Sequence, residues 1–384
     1  MVRNLKEAIS LYHRQNYKMR LYDILRVEGL LSQRSYTDSN FLEFASVYTP
    51  LMKPHSKLFK LLKDESYLES LSVSDSMKVF DLLNRKFPYF LTPEVLHTVS
   101  KKVISAPNNK KSGDVSRLLH AYTNYTLSPT PEILSGISKF FYSQPYRYKQ
   151  RLLLPLYKCI VQLRLLENGD YDFLNHTFNQ IHTEYIPELV KVKYNDSLEY
   201  YTKLCNLMCI SQSWRYGTTW SSALSAVADK MEDLPSVMEY PVIHTSLLTT
   251  YDGIQTFAPN LFKDNLKRLK LIRSKLNYDL EYVQSYGNSQ YQLKYLTKDL
   301  DERNVKYESN KIIDQLYNGS IFIEPNKVLI FTSKNNYIRQ PTGAPTKLEI
   351  GSKKYLKEIL TAKGYSVNFV KLRTRQEELD QILQ

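Results

Sequence analysis

Glycine is scarce in this chain, with 11 among 384 residues. So low a content disfavours glycine-rich nucleotide loops and wide β-architectures, and no P-loop pattern occurs. Cysteine is scarcer still. Cys159, Cys205 and Cys209 are too few for a disulfide framework or a four-cysteine zinc site. Cys205 and Cys209 stand four apart in an apolar helical stretch, the pattern of buried free thiols and of a reducing compartment. The seven histidines are scattered, and neither HExxH nor CxxC spacing is present. No apolar run approaches the roughly 18 residues of a membrane-spanning helix, and no secretory h-region is recognisable.

Basic residues and tyrosine are plentiful instead. Thirty-one tyrosines, with frequent Asn, Lys and Ile, fit an AT-rich coding sequence. The formal charge is +13 and the isoelectric point about 9.3. After residue 260, 22 Lys and Arg face 14 Asp and Glu, so +8 of the surplus lies there. Such a surplus favours a polyanionic partner, because Lys and Arg release condensed counterions from phosphates. The plainer alternative is a solvated basic surface with no specific partner. The opening segment "MVRNLKEAISLYHRQNYKMR" sets Arg3, Lys6, Arg14, Lys18 and Arg20 against Glu7 alone, with apolar residues at Leu5, Ile9 and Tyr12. It reads equally as a mitochondrial targeting helix and as a first structural helix.

The chain repeats itself. "TPEVLHTVSK" at 92–101 recurs as "TPEILSGISK" at 130–139, an offset of 38 residues. Each copy opens with Thr at the N-cap, Pro at the first helical position and Glu where the helix dipole favours negative charge. Each is preceded by another helical pattern, "SMKVFDLLNRK" and "DVSRLLHAYTNY". The repeated unit is thus a helical hairpin. Fainter pairs follow at 153–185 and 198–231, and a weaker one precedes, around "FLEFASVYTPLMK". All-helical units of this period predict an α-solenoid, whose neighbours bury each other's apolar faces, over residues 1 to about 255.

Residues 256–310 read as connecting or capping helices. In "PNLFKDNLKRLKLIRSKL", 259–276, Phe262, Leu266, Leu269 and Leu276 share one face, and Lys263, Lys267, Lys270 and Arg273 form a basic row. From about 311 to 384 the pattern becomes α/β. "GSIFIEP" and "NKVLIF" predict a strand hairpin, "KKYLKEILTAKGY" a helix stopped by Gly364, "SVNFVKL" a further strand and "RTRQEELDQILQ" a last helix.

This C-terminal segment, with "KVLIFTSKNNY", "PTGAPTKLEIGSKKYLKEILTAKGYSVNFVKL" and "RTRQEELDQIL", resembles a RAP domain. The matching positions are Ile330, Tyr337, Thr342, Gly343, Thr346, Leu356, Gly364, Tyr365 and Val370. The resemblance implies a restriction-endonuclease-like fold behind an array of helical repeats, and an organellar RNA-binding role. Its strand acids, which would hold a divalent cation on hard oxygen ligands, are here Phe331 and Ser333. Glu324, before Pro325, has no second acid at useful spacing.

The expectation is therefore a mainly α, non-catalytic protein with no cofactor. Its implied partners are RNA, in particular mitochondrial rRNA, and ribosomal or other ribonucleoprotein subunits, and its place is the mitochondrion, as a ribosome component. A processing or stability factor, a RAP-type endonuclease and a protein-binding scaffold stay open as alternatives. Lys334, Asn335, Asn336, Tyr337 and Arg339 combine charge, amides and an aromatic face suited to unpaired RNA. Lys347, Lys353, Lys354 and Lys357, read as lying on the next helix, extend that patch, and the row Lys263, Lys267, Lys270 and Arg273 supplies a second one.

Overall fold

The computed structural model describes residues 62–86, 88, 91–106, 112–167, 172–193, 197–277, 290–314, 316–371 and 376–383. The basic opening segment and the weak first repeat lie outside these residues. The described chain is mainly helical, with a small mixed sheet near its C-terminal end. No described helix is long and apolar enough to cross a membrane. The chain divides into two compact units, 1–152 with 339–344 and 153–338 with 345–384. These bounds differ from the divisions at 255 and 310 that the sequence suggested.

In the first unit the described residues form α1 (Glu65–Ser70), α2 (Val73–Lys86), α3 (Pro93–Ser105), α4 (Ser112–Asn124) and α5 (Pro131–Ser143). Both expected caps form. Thr92 Oγ1 accepts the Val95 N–H at 3.5 Å and Thr130 Oγ1 accepts the Ile133 N–H at 3.4 Å, with Pro93 and Pro131 at the helix starts. Helix α3 packs on α1, α2, α4 and α5, and Leu96 and Leu134, at matching repeat positions, are buried at 1% and 2% exposure. The segment Arg339–Ala344 belongs to this unit. Its Arg339 N–H donates to Thr126 O at 2.7 Å, its Arg339 carbonyl accepts from the Ser128 N–H at 2.8 Å, and His97 Nε2 donates to Pro341 O at 2.7 Å.

Helix α6 (Tyr146–Gln162) leads into the second unit, followed by α7 (Asp172–Gln180), a π-helical turn at Ile181–Tyr185 and α8 (Ile186–Lys191). The π turn has a local cause. Pro187 lacks an N–H and its ring crowds the carbonyl four residues back, so the helix widens just before it. Then come α9 (Leu198–Ile210), α10 (Gly217–Asp229) and α11 (Pro241–Phe257), with α9 packed on α10 and α11. Cys159, Cys205 and Cys209 are buried thiols outside any disulfide among the described residues, and burial pushes the Cys205 thiol up to about 12.

The expected helix 259–276 is two helices, α12 (Pro259–Asp264) and α13 (Leu266–Lys275). They part at Asn265, which is fully buried, donates from Nδ2 to Leu261 O at 3.1 Å and accepts from Arg268. The buried positions are Leu261, Leu269, Ile272 and Leu276, whereas Phe262 and Leu266 are only half-buried, because the break re-aims the apolar face.

Helix α14 (Gln290–Glu302) precedes β1 (Glu308–Ile313), β2 (Tyr317–Ile323) and β3 (Lys327–Thr332). A short turn leads to β4 (Tyr337–Arg339) and β5 (Pro345–Glu349), then α15 (Gly351–Ala362), β6 (Ser366–Lys371) and α16 (Gln376–Leu383). The main sheet has order β1-β2-β3-β6. Its first three strands are antiparallel, and β6 runs parallel to β3 after the α15 crossover. The hairpin, the crossover helix and the last strand and helix stand where the sequence placed them. Gly364, at φ +91°, ends the segment after α15 in the left-handed conformation that glycine accepts most readily. Leu296 and Leu300 of α14 share one core with Ile321, Leu329, Phe331, Val370 and Leu379. Helix α14 is thus a layer of the α/β fold, not a connector.

Candidate nucleic-acid interface

The end of β3 is apolar. Val328 to Thr332 are all buried, and Phe331 points into the core just described. Ser333 is exposed, and its hydroxyl accepts the Asn335 N–H at 3.3 Å to start a single 3-10 turn, Lys334–Asn336. Glu324 is exposed at the β2–β3 turn. Among the described residues no group of three His, Cys, Asp or Glu side chains is placed to hold a metal.

The expected site residues divide into groups with different surroundings. Asn335 is exposed. The Asn336 carbonyl accepts the Ile350 N–H at 2.9 Å, which fastens the turn to the start of α15. The Tyr337 ring is half-buried, and its hydroxyl lies 3.2 Å from Thr332 Oγ1 at the end of β3. Of Lys334 only the backbone is described. Arg339 belongs to the first unit, through the backbone bonds given above.

Lys347 is exposed on β5 and does not lie on the following helix. Of the three lysines on α15 only Lys357 is exposed. Lys354 pairs with Glu167 at 3.0 Å and Glu358 at 3.7 Å, and burial pushes the Lys353 ammonium down. The reason is how α15 sits. It packs on α9 and α11, with Tyr355 buried and its hydroxyl 3.5 Å from Thr249 O. At its N-terminus a Cβ on Gly351 would lie 2.3 Å from Val161 O, and the Ser352 N–H donates to Gln162 Oε1 at 3.1 Å. A second tie joins α11 to the sheet. The Tyr317 hydroxyl donates to Asp252 at 2.6 Å, and Lys363 bonds both Asp252 and Asp314 at 2.9 Å. Burial alone would lower the Lys363 ammonium, but the hydrogen bonds to Asp314 and Asp252 outweigh it and raise it.

The row on α12 and α13 is less engaged. Lys263, Lys267 and Lys270 are exposed and make no ion pair among the described residues. Arg273 is half-buried and reaches Leu276 O at 3.5 Å.

Sequence reasoning missed a cleft of about 410 Å³ in the second unit, lined by Arg164, Glu167, Ser211, Arg215, Tyr216 and Lys354 among others. Glu167 bridges Arg164 (2.5 Å) and Lys354 (3.0 Å). Burial would raise this carboxyl, but hydrogen bonds from Arg164 and Lys354 hold it below its ordinary range. Behind the cleft, His182 sits in the π turn, fully buried. Its Nδ1–H donates to Phe178 O at 2.8 Å, and its Nε2 accepts from the Tyr157 hydroxyl at 2.9 Å. Burial pushes this imidazole down to about 4, and the positive charge of Arg215 adds to the effect. The Tyr216 ring stacks on it at 4.3 Å and 12°, and the Arg215 guanidinium lies 4.8 Å over the Tyr216 ring. The one advance signal was Pro187 inside an otherwise helical pattern.

No protein-family model matches the chain, and comparison with curated proteins finds no match either.

Proposed function

We propose that the chain is a non-catalytic RNA-binding protein of the mitochondrion, a component of the mitochondrial ribosome that contacts rRNA. In this reading stacked helical hairpins form an α-solenoid, and the C-terminal sheet is a RAP-like domain. The observation that carries RNA binding is the exposed row Lys263, Lys267 and Lys270, free of carboxylates among the described residues, on a chain of net charge +13. Lysines already paired with acids release few counterions on meeting phosphate, so free ones matter most. The strand order and crossover helix support the RAP-like reading. A non-catalytic role is favoured because Phe331 is committed to the apolar core and Ser333 to capping a turn. The amphipathic basic pattern of residues 1–20 supports the mitochondrial assignment.

The direct test incubates the purified chain with single-stranded RNA, with and without Mg²⁺ or Mn²⁺. Salt-sensitive binding without cleavage is the expected result. Metal-dependent cleavage lost in Glu324→Gln would overturn the non-catalytic reading. A second reading, a protein-binding scaffold, is favoured by the exposed Met238, Tyr240 and Val242, at 80%, 54% and 55% exposure. Failure of the intact chain to bind RNA would leave that reading in place.

A further inference from the structure

The segment that joins α10 to α11 is tied down along its length. Met231 is buried, and the Ser236 carbonyl accepts the N–H groups of Glu239 and Tyr240, both at 3.1 Å. Buried His244 of α11 anchors it further. Its Nε2–H donates to Pro235 O at 2.9 Å, and its Nδ1 accepts the Asn277 N–H at 3.3 Å. A loop held in this way has little chain entropy left to lose when a partner settles on it.

Yet the loop leaves apolar groups in solvent. Five large apolar side chains stand exposed among the described residues, and three of them, Met238, Tyr240 and Val242, fall within five residues. Single exposed apolar residues are ordinary on a folded protein, whereas a cluster marks an interaction surface. Methionine and tyrosine are among the residues enriched where protein partners meet.

The neighbouring charge decides which partner fits. From 229 to 242 four acids, Asp229, Glu232, Asp233 and Glu239, stand against Lys230, a local charge of −3 on a chain of +13. All four acids are exposed. Lys230 reaches Asp233 and Lys275 reaches Glu232, each only at 3.9 Å, while Asp229 and Glu239 make no ion pair among the described residues. Asp229 closes α10, where the helix dipole disfavours negative charge. Such a rim repels a phosphate backbone and attracts cationic side chains.

We propose that the loop 231–242 is the docking surface for a basic amphipathic segment of a partner protein. The partner's apolar side chains lie on Met238, Tyr240 and Val242, and its Lys or Arg groups meet Glu232, Asp233 and Glu239. This site goes beyond the RNA-binding reading and does not depend on it. The acidic loop takes a protein, and the Lys263–Lys270 row takes RNA.

The experiment titrates the full chain with a fluorescent leucine–lysine peptide of helical spacing, and with a counterpart carrying glutamate at every lysine. Two triple variants are compared with the wild type, one combining Met238→Ser, Tyr240→Ser and Val242→Ser, the other Glu232→Gln, Asp233→Asn and Glu239→Gln. Each should weaken the basic peptide roughly tenfold, and only the acid variant should flatten the salt dependence. The acidic peptide should not bind. A benzophenone on the basic peptide should label the tryptic segment 231–263. Unchanged peptide affinity in both variants, or labelling elsewhere in the chain, would overturn the site. Loss of single-stranded RNA affinity in the apolar variant would overturn it too, because the loop would then be an RNA contact. Self-association of the wild type that the apolar variant abolishes would overturn it in favour of a second copy of the chain. Failure of the lysine row to bind RNA shows in the RNA titration alone and leaves the peptide result unaffected.

Discussion

His182 shows how one residue can join stability to a site. Its unfolded value is near 6.5 and its folded value about 4, so the folded chain binds fewer protons between those limits. Stability from this group is therefore fully present above pH 6.5 and is lost as the pH falls towards 4. The loss is on the order of 3 kcal/mol, and His97, also lowered chiefly by burial, acts in the same direction. Chemical denaturation at pH 7 and pH 4.5 should show the drop, and His182→Asn should flatten it. Gly351 provides a second test. A methyl group there meets the Val161 carbonyl, a backbone atom that cannot swing away, so Gly351→Ala should cost about 1–3 kcal/mol. Gly113→Ala, with open space around its Cβ, should be neutral or stabilise slightly, by up to about 1 kcal/mol. Neither residue was legible in advance. A glycine gives no sign of which backbone approaches it, and a lone histidine carries no spacing pattern.

At the scale of elements, the sequence spoke most clearly where local chemistry decides. Thr-Pro-Glu at 92–94 and 130–132 gave both helix starts because capping needs only neighbours within one turn. Replacing Thr92 and Thr130 singly by Ala should lower stability by about 0.5–2 kcal/mol each. Leu96→Asp and Leu134→Asp should do far more. Each puts an unpaired carboxylate among buried side chains, at a cost of several kcal/mol, comparable with a domain's whole stability. Melting of either variant like the parent would contradict the packing described for α3 and α5. The sequence was less legible where a tertiary partner decides. The basic row reads as one periodic helix, yet buried Asn265 splits it by bonding back to Leu261. "ESNKII" is too polar to announce a strand, and it becomes β1 because β2 offers it an edge to pair with. The lysines of α15 read as a free patch, but the helix lies against α9 and α11, which brings Lys354 to Glu167.

For the whole molecule, charge was visible from composition, but its availability was not. A surplus of +13 says that a polyanion is attracted, and only the fold shows which cations acids already occupy. Lys354 and Lys363 are spent inside the second unit, while Lys263, Lys267 and Lys270 are not. The central claim, RNA binding through that free row, is tested most directly by the salt dependence of single-stranded RNA affinity. With a coefficient of about −0.7 per phosphate contact, replacing Lys263, Lys267 and Lys270 together by Gln should make the slope of log K against log salt shallower by about 2. An unchanged slope in the triple variant would contradict the account.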